Sequence, residues 1–228
     1  SDDGTLALVQ SIQDPKIQII ETVWDDSLRE GGRVLAAETD KAFQSIPGEY
    51  DWCFYIQADE CVHEDDLPVI RAAMEQYLHD PDTEGLLFHY RHFYGSYDFI
   101  GHSRRWYRRE VRIVRNDKRI RSYQDAQGFR ILRSPETAAK KLRVRLIPAY
   151  IHHYGWVKHP EAQQRKQRNF NKLWHSDEDV QGMVSDSDAY TYRGDEPLAR
   201  YLGTHPLVMR PRIQAVNWQF EGDPTQVR

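Results

Sequence analysis

The chain has 228 residues, 39% hydrophobic and 29% charged, with a formal net charge of −4. That is enough apolar material to bury a core of one large domain, and the acidic balance argues against a general nucleic-acid binder. No apolar stretch has the length needed to cross a bilayer, and the polar, acidic start from Ser1 to Thr5 carries no signal-peptide pattern. The sequence does not open on Met, so the expectation is a chain that continues upstream. Its two cysteines, Cys53 and Cys61, have no metal-finger spacing. Their scarcity points to a reducing, cytoplasmic setting.

In chain order, Ser1 to Thr5 predicts a capping loop ahead of a helix at Leu6 to Val9. Lys16 to Ile20 has strand character. Gly31-Gly32 opens a helical pattern through Val34, Leu35, Ala37, Ala42 and Phe43, which stops near Pro47-Gly48. The apolar run Trp52 to Ile56 follows, predicted as a central strand buried on both faces. Leu67, Ile70, Met74, Tyr77 and Leu78 then share one helical face, with Pro68 in the first turn. This alternation before residue 80 predicts an α/β fold with a mostly parallel sheet. Later strands are expected at Gly85 to Tyr94, at Glu110 to Arg115 with period two, and at Leu146 to Tyr154. Asn116-Asp117 signals a turn, and Pro160 to Trp174 a helix. The last forty residues are rich in Pro, Gly and aromatics and take no clear assignment.

Chemistry concentrates where the apolar run ends, in Gln57-Ala58-Asp59-Glu60. Ligands of open α/β sheets bind beyond the carboxyl ends of such strands. Acids there suit a hard divalent cation that bridges to phosphates; an acidic turn facing water is the competing reading. Downstream the chain turns basic: Arg104, Arg105, Arg108, Arg109, Arg112, Arg115, Lys118, Arg119 and Arg121. Arginine forks suit phosphate, although a solvated surface explains any one of them.

Several segments together resemble family 2 glycosyltransferases, inverting enzymes of the GT-A fold. Asp51-Trp52 through Asp59-Glu60 resembles their metal-binding strand, with Gln57 where the first Asp is usual. Ser1 to Thr5 resembles their Ser-x-Asp-Gly-Thr turn, Gly31-Gly32 and its helix the segment before the metal strand, Glu110 to Asn116 a later strand, and His152-His153-Tyr154-Gly155 a late His-Tyr-Gly element. The resemblance implies a GT-A-like single domain over 1–228, with a central mostly parallel sheet, a smaller antiparallel acceptor-side part and a C-terminal extension from about 195. It implies that a first strand and helix lie upstream of Ser1.

On that resemblance the activity is sugar transfer from a nucleotide-sugar donor to a saccharide or other hydroxyl acceptor, as in bacterial polysaccharide synthesis. The cofactor is Mn2+ or Mg2+, held by Asp59 with His153. Donor binding falls to Asp3, Gln57, Asp59, Arg33 and Lys158, with Arg165 and Lys166 near the diphosphate. Asp125, in Tyr123 to Gly128, lies where the family keeps its base; Glu60 is the second catalytic candidate, and Asp177, Glu178 and Asp179 are further alternatives. Trp106, Tyr107 and Trp156 are expected either to stack on a sugar or to pack in the core. No nucleic acid or transmembrane segment is expected, while peripheral membrane contact is allowed. Two other classes compete: a nucleotidyltransferase, and a non-catalytic sugar- or polyanion-binding module. Gln57 also admits an inactive transferase.

Overall fold

The computed structural model describes residues 4–28, 30–133, 138–175, 177–183, 187–193 and 196–220. Asp3 lies outside them. The first helix, α1 (Thr5–Gln10), starts at Gly4 and buries no side chain. Lys16 to Ile20 forms no ladder and is exposed throughout: a strand exists only if a partner pairs with it, and none does among the described residues. Helix α2 (Arg33–Ser45) matches its sequence pattern and buries Val34 and Phe43. After β1 (Trp52–Phe54) and β2 (Glu60–Val62) comes α3 (Leu67–Gln76), with Pro68 in its first turn.

The rest of the core is sheet. Strands β3 (Gly85–Tyr94), β4 (Phe99–Gly101) and β5 (Arg109–Arg115) are followed by a small sheet of β6 (Ile120–Tyr123), β7 (Gly128–Ile131) and β8 (Lys140–Lys141). The long β9 (Val144–Trp156) leads into α4 (Pro160–Asn171) and α5 (Asp177–Met183); β10 (Leu198–Arg200) and α6 (Arg210–Gln214) close the chain.

The expected mostly parallel central sheet is not what forms. Strand β5 pairs antiparallel with both β1 and β3, β2 with β9, and β4 with β3 and β10. Among the described residues only β3 and β9 run parallel. The order β1-β5-β3, with β9 beyond, puts β1 at an edge instead of the centre. Its burial alternates accordingly, with Cys53 buried but Phe54 and Ile56 more than 40% exposed. Periodicity reports which side of a strand meets the core and says nothing of strand direction. A later strand, β5, supplies the neighbour of β1, so the early helix–strand alternation never becomes a crossover unit.

Both faces of this sheet are covered. Ile113 packs with Ile70 and Ala73 of α3 and with Leu86, Phe88, Ile147 and Ile151. Its neighbour Val114 packs with Phe43 of α2, Cys53, Ile120, Phe129 and Ile131. Adjacent strand residues project to opposite faces, so β5 holds the two layers together. Each such buried side chain contributes roughly 1.5–3 kcal/mol. The segment expected as an extension folds back: β10 pairs with β4, and Met209, Ile213 and Trp218 pack around Phe93 and Tyr154.

Candidate functional site

The site is built from three loops that meet beside β5. Between β6 and β7, Tyr123 pairs with Gly128, which leaves Gln124 to Gln127 as the turn. Gln124 and Ala126 both take left-handed backbone, φ 52° and 60°. That conformation costs a non-glycine residue about 1–3 kcal/mol, and such strain collects at functional sites. Asp125 sits between them. Its Cβ approaches Gly32, where an added Cβ would lie 3.0 Å from both Asp125 and the Trp174 ring, at a left-handed φ of 70°. Only glycine lets the start of α2 come this close.

Asp125, Gln124, Gln127, Glu30, Arg33 and Trp174 line a cavity of about 500 Å3, within the size range of small-ligand sites. Glu110 on β5 stands behind it and accepts a hydrogen bond from Gln127 Nε2 at 3.3 Å. Burial pushes the Glu110 carboxyl up to about 7, and the nearby Asp125 adds to the effect against the pull of Arg112. The folded state thus holds this proton more tightly than an unfolded chain. Stability from this group is complete below its unfolded value near 4.5 and is lost as pH rises through about 7. Compared with wild type across that window in urea titrations, Glu110→Gln is expected to remove a slope worth on the order of 2 kcal/mol. Parallel pH profiles of the two proteins would show the shift to be absent.

A second cluster of polar groups, not in the lining of that cavity, gathers at Asp59 after the apolar run. Asp59 Oδ2 accepts from Lys166 Nζ at 2.9 Å and lies 3.6 Å from His153 Nε2. Burial alone would raise the Asp59 carboxyl, but His153 and Lys166 overcome it and hold the group well below the usual carboxylate range. Gly155 makes the approach possible: a Cβ there would stand 2.5 Å from Asp59 Oδ2 and 2.6 Å from His153 Nε2. His153 Nδ1 meets His92 Nδ1 at 3.2 Å, and burial holds His92 down at about 3. Lys158 belongs to the same neighbourhood; burial and the charge of Lys166 lower its pKa, while Asp59 raises it.

Glu60 serves the frame and not the cavity. It is 5% exposed. Its oxygens accept from Arg112 Nε at 2.9 Å and Nη2 at 2.8 Å and from the Tyr90 hydroxyl. The Arg112 guanidinium also donates to the Gln127 carbonyl at 3.0 Å, so one buried arginine ties the Asp59-Glu60 segment to the Asp125 turn. That geometry corrects the expectation of Glu60 as a catalytic acid facing an acceptor, because both oxygens are occupied.

The other expected residues divide. Gln57 gives its amide nitrogen to Tyr55 Oη at 2.9 Å, and Arg33 lines the cavity near Glu30, 3.6 Å away. Trp106 is buried and donates to Glu196 at 2.7 Å, while Tyr107 packs on Tyr90 and His92. These two rings are therefore core. Glu178 and Asp179 are exposed on α5, and the side chain of Asp177 lies outside the described ones. Trp174, Glu110 and Gln127 were not singled out by sequence reasoning. Glu110 carried one signal, an acid on a strand whose partners are apolar or basic; Trp174 carried none beyond its place at a helix end.

A divalent ion would find limited support from the protein alone. Among the described residues no group of three or more His, Cys, Asp and Glu side chains converges. Asp59 and His153 supply two donors on one side. Mg2+ and Mn2+ are often held by one or two carboxylates plus substrate phosphates, so this pair fits an ion that arrives with a phosphate ligand. No protein-family model matches the chain, and no curated protein matches it.

Proposed function

We propose that the chain transfers a sugar from a nucleotide-sugar to a hydroxyl acceptor, with inversion. The observation that carries this reading is Asp125, held between two left-handed residues on the wall of a cavity of about 500 Å3. In the reaction Asp125 takes the proton of the acceptor hydroxyl as its oxygen attacks the anomeric carbon. The bond to the diphosphate breaks on the opposite face, and the nucleoside diphosphate leaves with the electron pair. Lys158 and Lys166, neighbours of Asp59, would supply the cations that balance the charge of that leaving group. A divalent ion, held by Asp59 with His153, would supply further neutralisation of the diphosphate. Trp174 lines the cavity wall and would give a sugar an aromatic surface to pack against.

The test is calorimetric titration with a panel of nucleoside diphosphates and nucleotide-sugars, with and without manganese, followed by product analysis. Asp59→Asn should weaken manganese-dependent binding about tenfold, the value of one charge-assisted contact, with an unchanged circular dichroism spectrum. Unchanged binding in that variant would remove Asp59 from the site. Release of pyrophosphate instead of a nucleoside diphosphate would assign the chain to nucleotidyl transfer.

A further inference from the structure

The small sheet β6-β7-β8 has one face in the core and one in water. Ile120, Phe129 and Ile131 point inward, all 3% exposed or less. On the outer face Arg121 stands directly opposite Arg130, and Arg130 directly opposite Lys141. Residues paired in this way project to the same side, and like charges directly opposite one another destabilise a sheet. Three cations in one rung, in a chain of net charge −4, are a local arrangement that folding alone does not favour.

Among the described residues, no ion pair joins these cations to an acid. Arg121 donates to the carbonyls of Lys118 and Ile120, and Arg130 to that of Phe129. Two acids near Arg121 are committed elsewhere: Asp117 pairs with Arg119, and Asp40 accepts the Ser122 N–H at 2.7 Å. Two amphipathic or apolar side chains lie near the rung, at positions of the same parity along their strands. Tyr123 is 39% exposed, with the Arg130 guanidinium 4.3 Å above its ring, and Leu132 is 38% exposed. Cations flanked by an exposed tyrosine and leucine suit the boundary between water and lipid, where anionic headgroups meet the first methylenes.

From this we infer that the outer face of β6-β7-β8 docks on a membrane surface carrying anionic phospholipid. The inference does not depend on the transfer reading. If both hold, the turn that carries Asp125 begins directly after Tyr123 of the docking face.

Co-sedimentation with vesicles decides it. The chain should bind phosphatidylcholine vesicles doped with phosphatidylglycerol, should not bind pure phosphatidylcholine, and should lose affinity as salt rises. Each basic charge at such a surface contributes roughly fivefold. Arg130→Gln should therefore weaken binding about fivefold and Arg130→Glu roughly 25-fold. Arg71→Glu, which reverses an exposed charge on α3, should leave binding unchanged. Arg130→Glu also sets an acid between two cations, so its unfolding midpoint should not fall; a purely structural role for Arg130 predicts the reverse. Equal binding to both vesicle types, no binding to either, or no effect of Arg130→Glu would overturn the inference. So would binding of soluble heparin by a chain that ignores the vesicles.

Discussion

Arg112→Leu is expected to lower the stability of the fold by about 3–5 kcal/mol, the usual cost of leaving one partner of a buried ion pair alone. Both side chains of the Arg112–Glu60 pair are fully buried. Burial works against the charged guanidinium, yet the bonds to Glu60 overcome it and raise the pKa of Arg112. Without the arginine, Glu60 keeps only the Tyr90 hydroxyl and the Gln57 backbone N–H. Two further variants separate the pair from its surroundings. Glu60→Gln keeps hydrogen-bonding capacity and should cost less. Glu60→Leu combined with Arg112→Leu removes both charges and should recover part of the loss. Urea unfolding at neutral pH measures all three. A loss below about 1 kcal/mol for Arg112→Leu would mean that water reaches the pair, and Glu60 would return as a candidate acid.

Asp125→Asn is expected to cut sugar transfer by 10²-fold or more, roughly the contribution of a positioned general base, while donor binding stays nearly unchanged. The asparagine fits the same space and tolerates the left-handed turn around it, so the unfolding midpoint should hold. Loss of turnover with intact donor binding separates a base from a donor ligand. Turnover at the wild-type rate would exclude Asp125 as the base. Glu110 would be the next group to replace, since its carboxyl titrates near neutrality beside the same cavity. Glu178 and Asp179, exposed on α5, follow.

These residues differ in how far the sequence alone could lead to them. Helix α2 was legible because Leu35, Ala42 and Phe43 repeat at helical spacing after two glycines, and α3 because Ile70 and Ala73 share a face behind Pro68. The strands β3 and β5 were legible from apolar runs and period-two alternation. The segment 16–20 looks equally strand-like and forms none, because a strand needs a neighbour that its own residues do not specify. The direction of pairing was likewise hidden. β1 meets β5 across some sixty residues of chain, and nothing in Trp52 to Ile56 encodes that partner.

In the site, the sequence determined the chemistry on offer: Asp59 and Glu60 after the apolar run, at the start of β2, Asp125 in a turn, and His153 late in the chain. Only the tertiary structure decided how that chemistry is divided. Arg112, 52 residues from Glu60, takes that carboxylate into the core. Lys166, 107 residues from Asp59, neutralises the other. Glu110 gains its high pKa from burial beneath a hairpin that closes only when β6 and β7 pair. Side-chain type and local periodicity are properties of neighbouring residues. Which carboxylate is spent on structure and which is left for a ligand depends on desolvation and on charges brought from far along the chain.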